Sequence, residues 1–270
     1  QASHYLCAEE PTGYLPTRVH VSARSPQEAV DLALSALNLV RGIWNWFHNK
    51  KTGLRVSFGK REPVNKVVLG PIHTLHHLDG TLAANVWWYE PNFDGAVGVY
   101  HPDQDVEHMY SFLSSIRRKL SLSAYKGELR QAIIRYGLAL DDRNWETAFL
   151  NLWSVLEDLT ATAPGNSYRE TIRRTSFIFK DHRYHSEALR CLKDYRNRFV
   201  HEAEVAGAIE SYLYQLKGYV EALLNFHLMN RYDFTSLKAA SEFLDLPPSK
   251  ENLESRVRLA KSALKFKRYS

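Results

Sequence analysis

From about Asp103 onwards, apolar residues recur every three or four positions, and this pattern constrains the fold more than any other feature of the chain. The periodic stretches are long and the breaks between them are short, which favours an antiparallel bundle of helices. The predicted helices begin near Asp103 and then cover about 124–140, 144–161, 167–180, 186–202, 203–229 and 250–267.

The first hundred residues have a different pattern. Ser25, followed by Pro26 and by Glu28, is typical of a helix start, and the helix is predicted to reach Asn49. Short alternating or β-branched segments predict strands around it. These strands are Thr17–Arg24, Leu54–Phe58, Val67–Leu69 and Ala84–Tyr89, and the predicted core stripe of the helix is Val30, Leu34, Leu37, Val40, Trp44 and Phe47.

These patterns predict a mainly α protein in three parts. Residues 1–102 form a small α/β N-terminal subdomain, residues 103–230 form the helical bundle, and residues 231–270 form a basic C-terminal helical extension. The bundle is the part that carries the charged motif described below.

Composition places the chain among ordinary globular proteins, with 44% hydrophobic and 24% charged residues. No apolar run is long enough to span a bilayer and no signal segment opens the sequence, so we expect a cytoplasmic protein without a membrane partner. Two cysteines, Cys7 and Cys191, are too few for a disulfide framework, and we expect them to be buried or inert.

The net charge of +5 is unevenly distributed. Residues 168–201 hold nine basic and four acidic side chains, and the residues after Glu254 include six basic and no acidic ones. Basic clusters suit a polyanion such as RNA, although a solvated helix surface has the same composition. The RNA-binding candidates are Arg169, Arg173, Arg174, Arg183, Arg190 and Lys193.

Residues 194–202 concentrate the chemically active side chains of the chain. Asn197 and His201 are four positions apart and therefore share one side of a helix, and the long side chain of Arg196 can reach the same space. Leu189, Leu192, Tyr195 and Phe199 form an opposing apolar stripe. We therefore predict one helix with a core side and a side rich in charged and hydrogen-bonding groups.

The segment Arg196-Asn197-Arg198-Phe199-Val200-His201 resembles the Arg-Asn-x-x-x-His signature of HEPN domains. Upstream, residues 148–157 resemble the preceding helix of the Apea-like HEPN group. The resemblance is clearest over residues 140–230. It implies a helical bundle and a metal-independent endoribonuclease that forms a homodimer with a composite active site.

The chemistry of RNA cleavage is compatible with an endoribonuclease that needs no metal. RNA carries its own nucleophile, the 2′-hydroxyl, so cleavage needs only a base, an acid and positive charge on the phosphorane. His201 is the acid–base candidate because its ordinary pKa lies near neutrality, and Arg196 can clamp the phosphate. Asn197 would orient either group, and Arg198 would hold a flanking phosphate. The expected products are a 2′,3′-cyclic phosphate and a 5′-hydroxyl.

The resemblance also implies Glu157 as a supporting partner of Arg196, although a surface carboxylate is an equal interpretation. It further implies a role in toxin-like growth arrest, stress or anti-phage defence, with an inhibitor or activator protein as a partner. The alternative is a non-catalytic HEPN module that binds RNA, a nucleotide or a protein. No cofactor is predicted, and neither His73, His76 and His77 nor His182 and His185 have a set of ligands that predicts a metal site.

Overall fold

The computed structural model describes residues 17–53, 61–70, 72–84, 88–89, 105–162, 168–202 and 209–268. For Ile72, Trp88, Tyr89 and residues 199–202 it describes the backbone alone. The predicted strand Leu54–Phe58 and Cys7 lie outside the described residues. His201 is described only by its place in a helix.

Within these ranges the chain is mainly helical, which confirms the predicted mainly α class and its bundle-like form. A minimal antiparallel sheet pairs β1 (Ile72–His73) with β2 (Trp88–Tyr89), in the register Ile72 to Tyr89 and His73 to Trp88. The nine described helices are α1 (Pro26–Asn49), α2 (Val106–Leu122), α3 (Lys126–Asp141), α4 (Trp145–Leu159), α5 (Tyr168–Phe177), α6 (His182–Glu202), α7 (Ile209–Met229), α8 (Leu237–Leu244) and α9 (Lys250–Lys267). No helix in the described part of the chain is long and apolar enough to cross a membrane.

Side-chain caps determine where several helices begin. The Ser25 hydroxyl accepts a hydrogen bond from the Glu28 amide at 3.2 Å, as the sequence predicts for α1. The Asn144 side chain caps α4 in the same way, through the Thr147 amide at 2.9 Å. The motif helix α6 begins at His182 rather than at the predicted Ser186, because the Asp181 carboxylate accepts from the Tyr184 amide at 3.2 Å.

The core lies around α4 and α7, which pack against each other and against α3. The periodic apolar positions of α2, α3 and α4 face this core, and Phe112 is half-buried. The buried ones are Met109, Leu113, Ile116 and Leu120 in α2, Leu129, Ile133, Ile134, Tyr136 and Leu140 in α3, and Trp145, Phe149, Leu152, Trp153, Leu156 and Leu159 in α4. Two of their largest members, Tyr136 and Trp153, are completely enclosed. Burial of such large apolar side chains is the main source of stability in a bundle of this size.

The helix α1 packs on α3 at a crossing between two glycines. A Cβ atom added to Gly42 would lie 2.9 Å from the carbonyl oxygen of Ile133, and one added to Gly137 would lie 3.1 Å from the Cα atom of Gly42. This close approach turns Gly42, Ile43 and Trp46 towards the bundle. The predicted stripe is therefore wrong in part, since it is buried only at Val30 and Phe47 and half-buried at Leu34, Leu37, Val40 and Trp44.

Two of the predicted strands are not strands. Residues 17–23 and 67–69 have no regular secondary structure. At Val67 the reason is visible, because the Asn45 side chain donates to its carbonyl and accepts from its amide, both at 2.8 Å. These backbone groups are then unavailable for a neighbouring strand.

The described part of residues 1–102 shares its core with the bundle. Ile43, Trp46 and Val64 belong to the same buried cluster as the helices after residue 105. The buried guanidinium of Arg41 also pairs with Asp141 of α3 at 2.7 Å. The described residues on the two sides of residue 102 are in extensive contact. The small α/β subdomain and its boundary at residue 102 stay predictions.

His227 joins α7 to the end of α4 inside the core. Its Nε2 lies 2.8 Å from the carbonyl oxygen of Leu159, and its Nδ1 lies 3.2 Å from the Tyr125 hydroxyl. Because a carbonyl can only accept, Nε2 carries the proton and Nδ1 accepts from Tyr125. The side chain is completely buried, and this desolvation lowers the pKa of His227 to about 4.

We expect the fold to lose stability as the pH falls from about 6.5 to about 4. In that range an unfolded histidine binds a proton and the buried His227 does not. The pKa shift therefore lowers the free energy of unfolding by up to about 3 kcal/mol at the acidic end of the range and does not change it above neutrality. Urea unfolding at pH 7 and pH 4.5 measures the loss. His227→Gln keeps a donor for Leu159 without titrating, so its free energy of unfolding should fall less between these pH values, and an equal fall would contradict the assignment.

Candidate functional site

A groove of about 1110 Å³ lies between α4, α5 and α6, and the segment that joins α8 to α9 also lines it. Six of the residues predicted for function line it: Glu157, Arg169, Arg173, Arg190, Lys193 and Arg196. Arg135, Asp158, Tyr168, His182, Leu246 and Pro248 also line it. The groove thus brings together side chains from both segments on which the family resemblance rests.

Arg196 extends from α6 towards the start of α5. Its guanidinium carbon lies 4.7 Å from the centre of the Tyr168 ring, and one of its terminal nitrogens donates a hydrogen bond to the Tyr168 hydroxyl. Tyr168 in turn packs edge-on against Trp153, with the ring centres 6.0 Å apart. The aromatic pair holds the guanidinium at the groove without neutralising it.

Most of the other groove cations have a carboxylate partner. Arg135 pairs with Asp158 and Arg190 pairs with Glu187. Arg173 reaches Asp245 at 2.5 Å, and Lys193 reaches Asp194 at 2.6 Å. Arg196, by contrast, has no ion pair with any residue that the structure describes, and its hydrogen-bond partner is a neutral phenol. Among these five cations, Arg196 therefore offers the least compensated positive charge.

Arg174 does not line the groove and has a structural role. Its guanidinium forms a two-pronged ion pair with Asp245, at 2.7 and 2.9 Å, and donates to the carbonyl oxygen of Thr160 at 2.8 Å. The hydrogen bonds from Arg174 lower the pKa of Asp245, and the carboxylate raises the pKa of Arg174. These contacts fasten the C-terminal extension to α5 and give Arg174 a structural role, and its assignment as an RNA contact stays a prediction.

Glu157 lines the groove beside Arg196 but is engaged elsewhere. Its carboxylate accepts a hydrogen bond from the Trp153 indole at 2.9 Å, and no ion pair joins it to Arg196 among the described contacts. The direct support of Arg196 that the resemblance implies is therefore not formed in this structure. Instead, Glu157 orients Trp153, which packs on the tyrosine that holds Arg196.

Of the remaining motif residues, Asn197 and Arg198 have described side chains, and neither lines the groove. Asn197 is half-buried, and Arg198, like Arg183 near the start of α6, is exposed. The helix continues through Glu202, so His201 stands about one turn beyond Asn197 on its backbone. The core side of α6 is confirmed at Leu189, Leu192 and Tyr195, which are buried.

The residues that sequence reasoning missed are Tyr168 and the pair Arg135 and Asp158. Tyr168 opens α5 in a stretch that indicates a helix start and nothing more. Arg135 is a surface position of α3 that meets Asp158 only after α3 and α4 pack together. No local pattern marks such positions, because their role depends on contacts between separate helices.

The structure describes one of the two cysteines and several of the histidines named above. Cys191 is exposed, so of the two expectations, buried or inert, burial does not hold there. His76 is engaged with the carbonyl of Gly80 and the hydroxyl of Thr74, at 3.1 and 3.0 Å. The described residues contain no group of three or more metal-binding side chains placed to hold an ion.

Comparison with known proteins found no matching family model, no matching curated protein and no matching solved structure. The resemblance to HEPN domains therefore rests on the residues quoted above and stays a prediction.

Proposed function

We propose that this chain is a metal-independent endoribonuclease of the HEPN type that binds RNA along the groove of α4, α5 and α6. The observation that carries the proposal is the guanidinium of Arg196, which lines the groove with no described carboxylate to neutralise it. A planar cation held in that state is suited to a phosphate, which it can bind through two parallel hydrogen bonds.

The other groove cations extend the site along a nucleic-acid backbone. Arg169 and Lys193 approach the groove from two different helices, α5 and α6. Arg173 and Arg190 are ion-paired, so each would have to release its carboxylate partner in order to bind a phosphate. Such contacts position RNA without reading its sequence, and they make the affinity depend on salt.

Cleavage follows from the intrinsic chemistry of RNA. A base removes the proton of the 2′-hydroxyl, the 2′-oxygen bonds to phosphorus, and the bond to the 5′-oxygen breaks as that oxygen takes up a proton. We assign the proton transfers to His201, the charge on the phosphorane to Arg196, and the orientation of either group to Asn197. Arg198 would hold a neighbouring phosphate.

A homodimer would complete this chemistry. The motif contains one histidine, whereas cleavage needs both a base and an acid. Two motif helices related by a two-fold axis would supply one histidine to each role. A role in toxin-like, stress or anti-phage defence, under an inhibitor or activator protein, belongs to the same proposal.

The test is cleavage of a defined RNA by the purified chain in the presence of EDTA. We expect products with 2′,3′-cyclic phosphate ends, and we expect His201→Ala to remove the activity while His108→Ala, an exposed histidine of α2, retains it. Cleavage that survives His201→Ala would contradict the assignment. A folded chain that binds RNA without cleaving it would support the alternative, a non-catalytic binding module.

A further inference from the structure

The helix α9 differs from the rest of the fold because it has no buried residue. Four of its large apolar side chains are more than half exposed: Val257 at 51%, Leu259 at 68%, Leu264 at 67% and Phe266 at 70%. Other apolar side chains of this size mostly face the bundle, and leaving several together in water is unfavourable. This helix therefore presents a surface without a partner in the described chain.

The exposed side chains of α9 divide into two halves. At 3.6 residues per turn, one half carries the apolar residues, with Ala260 and Ala263 between the larger ones. Asn252, Arg256 and Lys267 interrupt this half, and the long stems of the two cations can lie along it. The other half carries the remaining charged residues: Lys250, Glu251, Glu254, Arg258, Lys261 and Lys265.

The charge of α9 is strongly positive. It contains six basic and two acidic residues, and within the helix only Lys250 forms an ion pair, with Glu254 at 3.8 Å. Neither Lys261 nor Lys265 forms an ion pair with a residue that the structure describes. The helix is therefore both basic and apolar, and its partner must account for both properties.

Three kinds of partner can be compared by how well each would accept both the cations and the apolar side chains of α9. A second copy of α9 would bring two basic helices together, which like-charge repulsion disfavours. RNA would bind the cations but would leave the apolar half in water. An anionic lipid surface accepts both halves, since the cations meet headgroups while the apolar side chains enter the region below them.

We propose that α9 is an interfacial helix that lies on an anionic lipid surface. At 1.5 Å per residue it is about 27 Å long, and it is too polar to cross a bilayer. The sequence-based expectation of no membrane partner rested on the lack of a spanning run and of a signal segment, and an interfacial helix needs neither. It does not depend on the proposed ribonuclease activity.

The test is co-sedimentation of the full chain with vesicles of phosphatidylcholine and phosphatidylserine, and with vesicles of phosphatidylcholine alone. We expect binding to the anionic vesicles only. Lys261→Gln with Lys265→Gln should weaken that binding about 30-fold, since each cation contributes roughly fivefold near the surface. Leu259→Ser with Phe266→Ser should weaken it at least about tenfold.

Two variants outside α9 serve as matched controls. Lys238→Gln removes an exposed cation from α8, and Leu122→Ser removes an exposed leucine from the end of α2. Both should bind like the parent. The proposal fails if the parent ignores anionic vesicles or if the α9 variants bind them normally. It also fails if the lysine variant lowers only the affinity for RNA, which would make α9 a nucleic-acid contact.

Discussion

Arg196→Ala is expected to lower single-turnover cleavage of RNA by about 10³-fold, the loss typical of removing one preorganised charge from a transition state. The guanidinium is held by Tyr168 and lines the groove, and no described ion pair would compete with the phosphorane of the proposed reaction for its charge. The measurement is the cleavage rate at saturating enzyme, compared between the parent and the variant.

Three controls separate this role from general loss of charge or structure. Arg130→Ala removes an exposed arginine of α3 outside the groove and should cleave at the parent rate. Arg196→Lys keeps the charge but loses the two-pronged fork, so an intermediate rate is expected. Tyr168→Phe keeps the ring and removes the hydroxyl, and should cost less than Arg196→Ala. Parent-like cleavage by Arg196→Ala would contradict the proposed site.

Glu221→Leu is expected to destabilise the fold by about 3–5 kcal/mol, the cost of leaving one member of a buried ion pair alone. Lys217 is almost completely buried, and its ammonium donates to Glu221 at 3.1 Å and to the carbonyl of Asn49 at 2.6 Å. The Tyr136 hydroxyl donates to the same carboxylate at 2.5 Å. Burial raises the pKa of Glu221, and removal of its carboxylate would leave the Lys217 cation without its anionic partner.

The double variant Lys217→Met with Glu221→Leu tests the reason for this loss. It replaces both charges by apolar side chains of similar size, so the free energy of unfolding should recover much of the difference from the parent. Urea unfolding of the parent, the single variant and the double variant at pH 7 measures these values. A double variant no more stable than Glu221→Leu would show that the cost arises from packing rather than from an isolated charge.

The helices could be predicted well because their signals are local. The periodic apolar positions of α3 and α4 are buried, and the cap of α1 at Ser25 is formed as its sequence predicts. The buried side of α1 could not be predicted in the same way. Its orientation follows from the contact of Gly42 with Gly137, residues that lie far apart in the sequence and carry no apolar side chain.

The candidate site could also be predicted only in part from the sequence. The charges near Arg196 and the core position of Tyr195 follow from the sequence of one helix. The partners of those charges do not, since Arg174 meets Asp245 from 71 residues away and Glu157 turns to Trp153 instead of Arg196. An ion pair forms wherever packing brings opposite charges together, and composition alone does not choose among the available carboxylates.

The sequence by itself therefore determined the class of the fold, the extent of most helices and a basic helix that carries Arg196, Asn197 and His201. The tertiary structure decided that α4, α5 and α6 line a groove, that Tyr168 holds Arg196 there, and that no described residue covers α9. The physical reason is the range of the interactions. Helical periodicity and caps act within a few residues, whereas grooves, ion pairs and exposed faces arise only when distant helices pack.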